Sequence, residues 1–218
     1  MKNFIIGDIH GHYSELKELL NLLNPNFKND KLIFLGDYID RGPQSYDVLQ
    51  LLINLQEKHG DDKVVLLRGN HEQMAMENIK TGYIDYFNGY DITFRDFKIN
   101  KDSIENYYEL FNRLPLIYED KSFICVHGGI RPGVKMEDQY PSDLLWIREE
   151  FYESSKNFIK PIIFGHTPTL HINGTDIPFM AKDRIGIDTG IAYGGKLTAL
   201  EIIDGIIKNI YQTGKLAA

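Results

Sequence analysis

The sequence predicts an α/β fold, and three observations carry that prediction. Short apolar runs recur along the chain: Phe4-Ile5-Ile6, Leu32-Ile33-Phe34-Leu35, Val64-Val65-Leu66-Leu67, Phe123-Ile124-Cys125-Val126 and Ile162-Ile163-Phe164. Each is closed by a turn containing glycine, and runs of this length bounded by glycine read as buried strands. Between the first three lie segments with apolar residues at helical spacing, so strand, turn and helix alternate from residue 3 to about residue 79. That alternation is the pattern of consecutive βαβ units. Later runs at Ile185–Ile187, Leu197–Ile203 and Ile206–Ile210 add strands, the last two joined at Asp204-Gly205, a strong hairpin signal.

The first helix is expected from Ser14 to Leu23, with Leu16, Leu19, Leu20 and Leu23 on one face and Pro25 beyond its end. A second follows Pro43, its apolar side built from Val48, Leu49, Leu52, Ile53 and Leu55. A third begins near His71 and continues through Met74 and Met76. From Thr81 to about Arg113 the pattern changes to an unusually aromatic stretch without strand alternation, including Tyr83, Tyr86, Phe87, Tyr90, Phe94, Phe97, Tyr107, Tyr108 and Phe111. This reads as a small helical insertion over residues 81–113, a cap with a hydrophobic core of its own rather than a surface for stacking ligands. Leu116-Ile117-Tyr118 and Ser122–Val126 then form a hairpin across Glu119-Asp120-Lys121, and Ser142–Ser154 reads as helix.

At 218 residues the chain is long enough for one sizeable core, and a single domain over 1–218 is expected because the chemically active blocks run from Asp8 to His166 and must meet. A net charge of −7 argues against nucleic acid as the partner. The lone Cys125 cannot form an intramolecular disulfide, which fits a reducing compartment, and it reads as a small core residue. The first apolar stretch is broken by Asp8, and no apolar run is long enough to span a bilayer. A cytoplasmic protein with no membrane partner is therefore expected.

Five blocks place His, Asp or Asn in turns directly after the apolar runs. They are Gly7-Asp8-Ile9-His10-Gly11, Gly36-Asp37-Tyr38-Ile39-Asp40-Arg41-Gly42, Gly69-Asn70-His71-Glu72, His127-Gly128-Gly129 and Gly165-His166-Thr167. Open sheets put their binding crevices at the carboxyl ends of strands, where all five blocks fall. Converging oxygen and nitrogen ligands of this kind describe a dinuclear metal site, in which two divalent ions about 3.5–4 Å apart clamp the attacking and leaving oxygens of phosphoryl transfer. Asp37 is the natural bridge, Asn70 supplies a neutral carbonyl oxygen, and His127 and His166 supply imidazole nitrogens. An isolated Asp or His at a strand end is ordinarily a turn or cap residue. Here that explanation would have to cover six candidate ligands in five blocks at once.

The ordered set resembles the calcineurin-like metallophosphoesterases, specifically the phosphoprotein-phosphatase branch with its bacterial and phage serine/threonine phosphatases. That branch carries G-D-x-H-G, G-D-x-V-D-R-G, G-N-H-E, H-G and G-H-T in this order, and Ile39 for Val is the one conservative departure. The likeness extends to Leu145-Trp146-Ile147-Arg148-Glu149-Glu150, to Ile187-Asp188-Thr189-Gly190 and to Gly194-Gly195-Lys196-Leu197-Thr198. It implies a metallophosphoesterase β-sandwich flanked by helices. It further implies that Asp8, His10 and Asp37 hold one metal and Asp37, Asn70, His127 and His166 the other. By the same resemblance His71 is the general acid for the leaving alkoxide, Asp40 orients it, Arg41 and Arg148 clamp the phosphate with Asn70, and a metal-bridging hydroxide attacks without a phosphoenzyme.

An alcohol leaving group needs a proton as its bond breaks, and a carboxylate-paired histidine supplies one near neutral pH. A helix-surface arginine at Arg148 would also pair readily with Glu149 or Glu150; Arg68 reads either as a support for the site or as a strand-end residue. His12, His59 and His171 lie outside the blocks and read as surface histidines, and Asp188 as a strand-end residue or a support rather than a ligand. The expected cofactors are two divalent ions, manganese first and iron or zinc as alternatives, because the ligands mix oxygen and nitrogen without thiolate. The expected substrate is a phosphoprotein or a small phosphorylated molecule, with phosphoserine and phosphothreonine first and phosphotyrosine beside them. The alternatives are a dinucleoside tetraphosphate hydrolase and a non-catalytic metal-binding scaffold.

Overall fold

The computed structural model describes residues 1–214; the last four positions of the expected 1–218 span lie outside the described residues. Two five-stranded mixed sheets face each other. In the first, β1 (Lys2–Ile6), β2 (Lys31–Phe34) and β3 (Val64–Leu66) run parallel, linked by α1 (Tyr13–Leu23) and α2 (Ser45–His59). After β3 come α3 (Asn70–Thr81), α4 (Tyr90–Ile99), a 3-10 turn at Ile104–Tyr107 and α5 (Tyr108–Arg113). The second sheet begins with β4 (Ile117–Glu119) antiparallel to β5 (Ile124–Val126). Then follow α6 (Pro141–Trp146), α7 (Glu149–Tyr152), β6 (Ile162–Phe164), α8 (Thr169–Asn173), β7 (Phe179–Met180) and β8 (Arg184–Gly186). The chain returns to the first sheet with the hairpin β9 (Leu197–Ile203) and β10 (Ile206–Thr213). The sheet orders are β10-β9-β1-β2-β3 and β4-β5-β6-β8-β7.

Strand alternation sorts the core into layers, because successive side chains point to opposite faces. Ile5, Ile33, Leu35 and Leu200 meet Cys125, Ile163 and Ile185 between the two sheets. Phe4, Ile6, Leu32 and Phe34 face the other way, under Leu16 and Leu19 of α1 and Val48 and Leu52 of α2. On the far side Val126, Ile162 and Phe164 pack under Leu144, Ile147 and Phe151. Both faces of each parallel strand are therefore buried, which is why these strands read as continuous apolar runs. Among the described residues no helix is long and apolar enough to cross a membrane.

Two sequence expectations need correction. The stretch Ser142–Ser154 is not one helix, because Arg148 takes φ −130° and ψ −108° and separates α6 from α7. Its guanidinium turns back to the carbonyl of His166 at 3.2 Å and the hydroxyl of Thr167 at 3.1 Å, a reach that a continuous helix would not give it. The aromatic stretch has no core of its own either: Tyr90, Phe97, Tyr107 and Phe111 join the same cluster as Phe4 and Leu16. Tyr83, Tyr86 and Phe87 instead remain exposed.

Candidate active site

Because β1, β2, β3, β5, β6 and β8 are parallel within their sheets, the loops after them open on one edge of the sandwich, and the histidines and aspartates of the five blocks meet there. Five of the eight non-glycine residues with positive φ among the described residues are His10, Asp37, Asp40, Arg41 and His166. Backbone strain of this kind persists only where the surroundings over-determine it, and it gathers at functional sites. The third block shows how it is held. Glu72, fully buried, accepts hydrogen bonds from the amides of Asp37 (2.9 Å), Tyr38 (2.8 Å) and Gly69 (2.9 Å), tying the β2 loop to the start of α3. The first turn of α3 then aims the His71 amide at Asp37 Oδ1, 3.0 Å away, where a helix N-terminus favours negative charge.

Asp37 stands between two groups of possible ligands. Its Oδ2 lies 3.5 Å from His10 Nε2 and 3.9 Å from His71 Nε2, while Oδ1 lies 3.3 Å from His127 Nε2. His10 with Asp37 and His71, and Asp37 with His127 and His166, each bring ligand atoms within 4.8 Å of one another, all from buried residues. The backbone selects which nitrogen is free. His10 Nδ1–H donates to the Ile39 carbonyl and His127 Nδ1–H to the Leu35 carbonyl, each at 3.0 Å, so in the neutral form of either ring Nε2 is the bare lone pair. Asn70 Oδ1 sits 2.8 Å from both His127 Nε2 and His166 Nδ1. The remaining His166 nitrogen and Asp8 Oδ1 are buried without a partner, while Asp8 Oδ2 accepts from the His166 amide at 2.9 Å. Acceptors converging this closely repel unless a cation lies among them, so the residues fit divalent ions.

The electrostatics point the same way. Burial, with help from His71, holds His10 down at about 3, and burial with His127 holds His166 well below its usual value, so both rings are neutral. Burial opposes ionisation of Asp37, but His127, His71 and His10 outweigh it and keep the carboxyl well below the usual range. Asp8 is pushed well up by burial and by Asp188 and Asp37, and burial raises Asp188 to about 6. Crowded buried carboxylates ionise together only where positive charge lies nearby, and otherwise hold protons.

A cleft of about 210 Å³ opens above, lined among others by His10, Asp37, Arg41, Asn70, His71 and Arg148. His71 Nδ1–H donates to Asp40 Oδ2 at 2.7 Å, fixing its tautomer, and burial is outweighed by Asp37 and Asp40, which raise its pKa. Calcineurin-like phosphoesterases are the family whose sequence pattern matches residues 1–195. The chain belongs to that family. The catalytic subunit of serine/threonine-protein phosphatase 6 of Caenorhabditis elegans is 34% identical over 136 residues, 62% of this chain and 38% of its own length. The chain thus spans well under half of that phosphatase. The asymmetrical bis(5'-nucleosyl)-tetraphosphatase PrpE of Oceanobacillus iheyensis is 29% identical over 228 residues, 91% of this chain and 88% of its own. A candidate diadenosine tetraphosphatase of known structure superposes with a TM-score of 0.73 over 100% of this chain and 95% of its own, at 20% identity, a likeness of fold.

In this chain Arg148 does reach the cleft, held there by the His166 carbonyl and the Thr167 hydroxyl, while Glu150 pairs with Arg131 at 3.3 Å and Glu149 accepts from Tyr152 at 3.2 Å. Arg68 is a pin: it donates to Gln73 and to the carbonyls of Asn112 and Leu114, away from the cleft. His12 bonds the Ile9 carbonyl and His59 stacks on Phe27; His171 is exposed, as its reading as a surface histidine expects, and stands at the rim of the cleft. Trp146 belongs to the 145–150 segment of the resemblance but had no role assigned by sequence, and Tyr193 was not singled out at all. Tyr193 lies under the Arg41 guanidinium at 5.2 Å and Trp146 meets His166 edge-on at 5.8 Å. An aromatic outside every quoted segment, as Tyr193 is, gives no one-dimensional signal of facing a cleft.

Proposed function

We propose that the protein is a metal-dependent phosphomonoesterase that hydrolyses phosphoserine and phosphothreonine in proteins, extending to phosphotyrosine. The observation that carries this reading is the buried Asp40–His71 pair opening on a cleft that also holds Arg41 and Arg148. Asp8, His10 and Asp37 would hold one ion, and Asp37, Asn70, His127 and His166 the other. Manganese is the first choice, with iron and zinc as alternatives, since the donors are oxygen and nitrogen only. Such ions supply Lewis acidity and a water of lowered pKa.

The chain's own residues do the rest. Arg41 and Arg148 converge on the phosphate, where planar guanidinium groups match its oxygens and the charge that spreads over them. Asn70 fixes the same group from the floor. Asp40 holds His71 Nδ1–H, which leaves Nε2 to give its proton to the departing alkoxide, the step that an alcohol leaving group needs most. His71→Asn is expected to retain the bound ions and lose about 10²–10⁴-fold in kcat, with a smaller loss on aryl than on alkyl phosphates. The buried, unpaired Cys125 agrees with a reducing, cytoplasmic setting.

One observation favours a second reading, dinucleoside tetraphosphate hydrolysis: the Oceanobacillus tetraphosphatase aligns over 91% of this chain and 88% of its own length. The exposed ring of Tyr193 at the cleft wall would then stack on a base. The deciding measurement is kcat/KM for phosphopeptides beside diadenosine tetraphosphate in one buffer and metal. A phosphopeptide preference supports the first reading. A dinucleotide preference above tenfold, about 1.4 kcal/mol, replaces it with the second.

A further inference from the structure

We propose that Thr93 is a positioning residue for the Asp40–His71 pair, and that through it α4 sets the competence of the general acid. Thr93 lies outside every block of the site and 53 residues from Asp40, yet its hydroxyl grips Asp40 twice. Its Oγ1 donates to Asp40 Oδ1 at 2.7 Å and accepts from the Asp40 amide at 2.9 Å. Since that hydroxyl has one hydrogen, already given to the carboxylate, Ser45 Oγ is the donor in the 3.1 Å contact between Ser45 and Thr93. Ser45 also accepts from the Asp40 amide at 3.1 Å. Asp40 Oδ2 is engaged by His71, so Thr93 supplies the side-chain partner of the other oxygen.

The location strengthens the case. Thr93 and Asp40 are both buried, so an oxygen that lost its partner would find no water, and the carboxylate would rotate to seek one. Asp40 is also held at φ +72°, an uncommon conformation for a residue other than glycine, though one that aspartate tolerates better than most. Helix α4 is anchored well enough to hold Thr93 against Asp40. Gly89 at its N-terminus approaches Arg41 so closely that a Cβ would stand 2.6 Å from the Arg41 amide nitrogen. Asp96, further along α4, accepts from the Tyr46 amide at 2.7 Å. The clamp therefore links the aromatic segment to the residue that fixes the His71 tautomer.

This proposal rests on the reading of His71 as general acid, and the test separates the two. Thr93→Val keeps the shape and removes the hydroxyl; Thr93→Ser keeps the hydroxyl. The two variants and His71→Asn are assayed on an alkyl phosphate and on 4-nitrophenyl phosphate, with bound metal measured in each. Thr93→Val is expected to lose about 10–100-fold in kcat on the alkyl ester, the usual cost of removing a group that orients a site residue, with unchanged KM and metal content. It should lose much less on the aryl ester, and Thr93→Ser should recover most of the loss. The downfield proton resonance of the His71–Asp40 hydrogen bond should shift or broaden in Thr93→Val and return in Thr93→Ser. Equal losses on both esters in Thr93→Val, beside a selective loss in His71→Asn, would overturn the role of Thr93 alone. Equal losses in His71→Asn as well would overturn the general-acid reading and this proposal with it. Should Thr93→Val fail to fold, Thr93→Ala takes its place with the same expectations.

Discussion

At the scale of single residues, Asp37 is where the two ligand groups are joined, with one carboxylate oxygen toward His10 and His71 and the other toward His127. Replacing it with asparagine removes the shared negative charge while keeping the shape. We expect Asp37→Asn to lose both ions together, read by elemental analysis of the purified protein; retention of one ion at full occupancy would show the groups to be independent. Glu72 carries a different burden, since three buried amides depend on its carboxylate. Glu72→Ala would leave them unpaired at about 1–3 kcal/mol each before relaxation, so a net loss of about 3 kcal/mol in denaturant unfolding is expected. Glu72→Gln, which keeps an acceptor in place, should lose clearly less.

Among the elements, β9 offers a pH-dependent prediction away from the site. Glu201, buried on β9, accepts from Asn209 and Tyr211 on β10 and pairs with Lys2 of β1 at 3.0 Å. Burial alone would raise its carboxyl, but the hydrogen bonds from Asn209, Lys2 and Tyr211 outweigh burial and lower it from 4.5. A carboxyl depressed in the folded state stabilises the fold above its unfolded value, and that contribution disappears as pH falls through the lower folded value. Thermal melts taken downward from pH 5 should therefore fall more steeply for the native chain than for Glu201→Gln. Parallel curves would mean that this hairpin contributes nothing to acid lability. The strands and first helices were legible in the sequence because apolar spacing is local. The break at Arg148 was not, because it is made by Thr167 and the His166 carbonyl, nearly twenty residues away.

Across the whole molecule, two sheets and their outer helices bring Asp8, Asp37 and Asp188 together in one buried place. Bound cations should therefore stabilise the fold as well as serve it. Ligand at a hundred times its dissociation constant adds about 2.7 kcal/mol, so chelation is expected to lower the Tm by about 5–10 °C for a chain of this size. Scanning calorimetry of the stripped and reloaded protein checks it, and an unchanged Tm would mean that the charge cluster is balanced by protons rather than ions.

The sequence by itself determined the α/β class, the family and the residues that gather at the sheet edge. Glycine-bounded turns after apolar runs are short-range features, and parallel strands necessarily deliver their following loops to one end. Only the tertiary structure decided the rest: that Arg148 faces the cleft, that Arg68 does not, that His171 and Tyr193 wall it, and that Thr93 reaches Asp40. These depend on contacts between segments tens of residues apart. No spacing along the chain encodes them, because packing of one layer on another sets which polar side chain meets which partner.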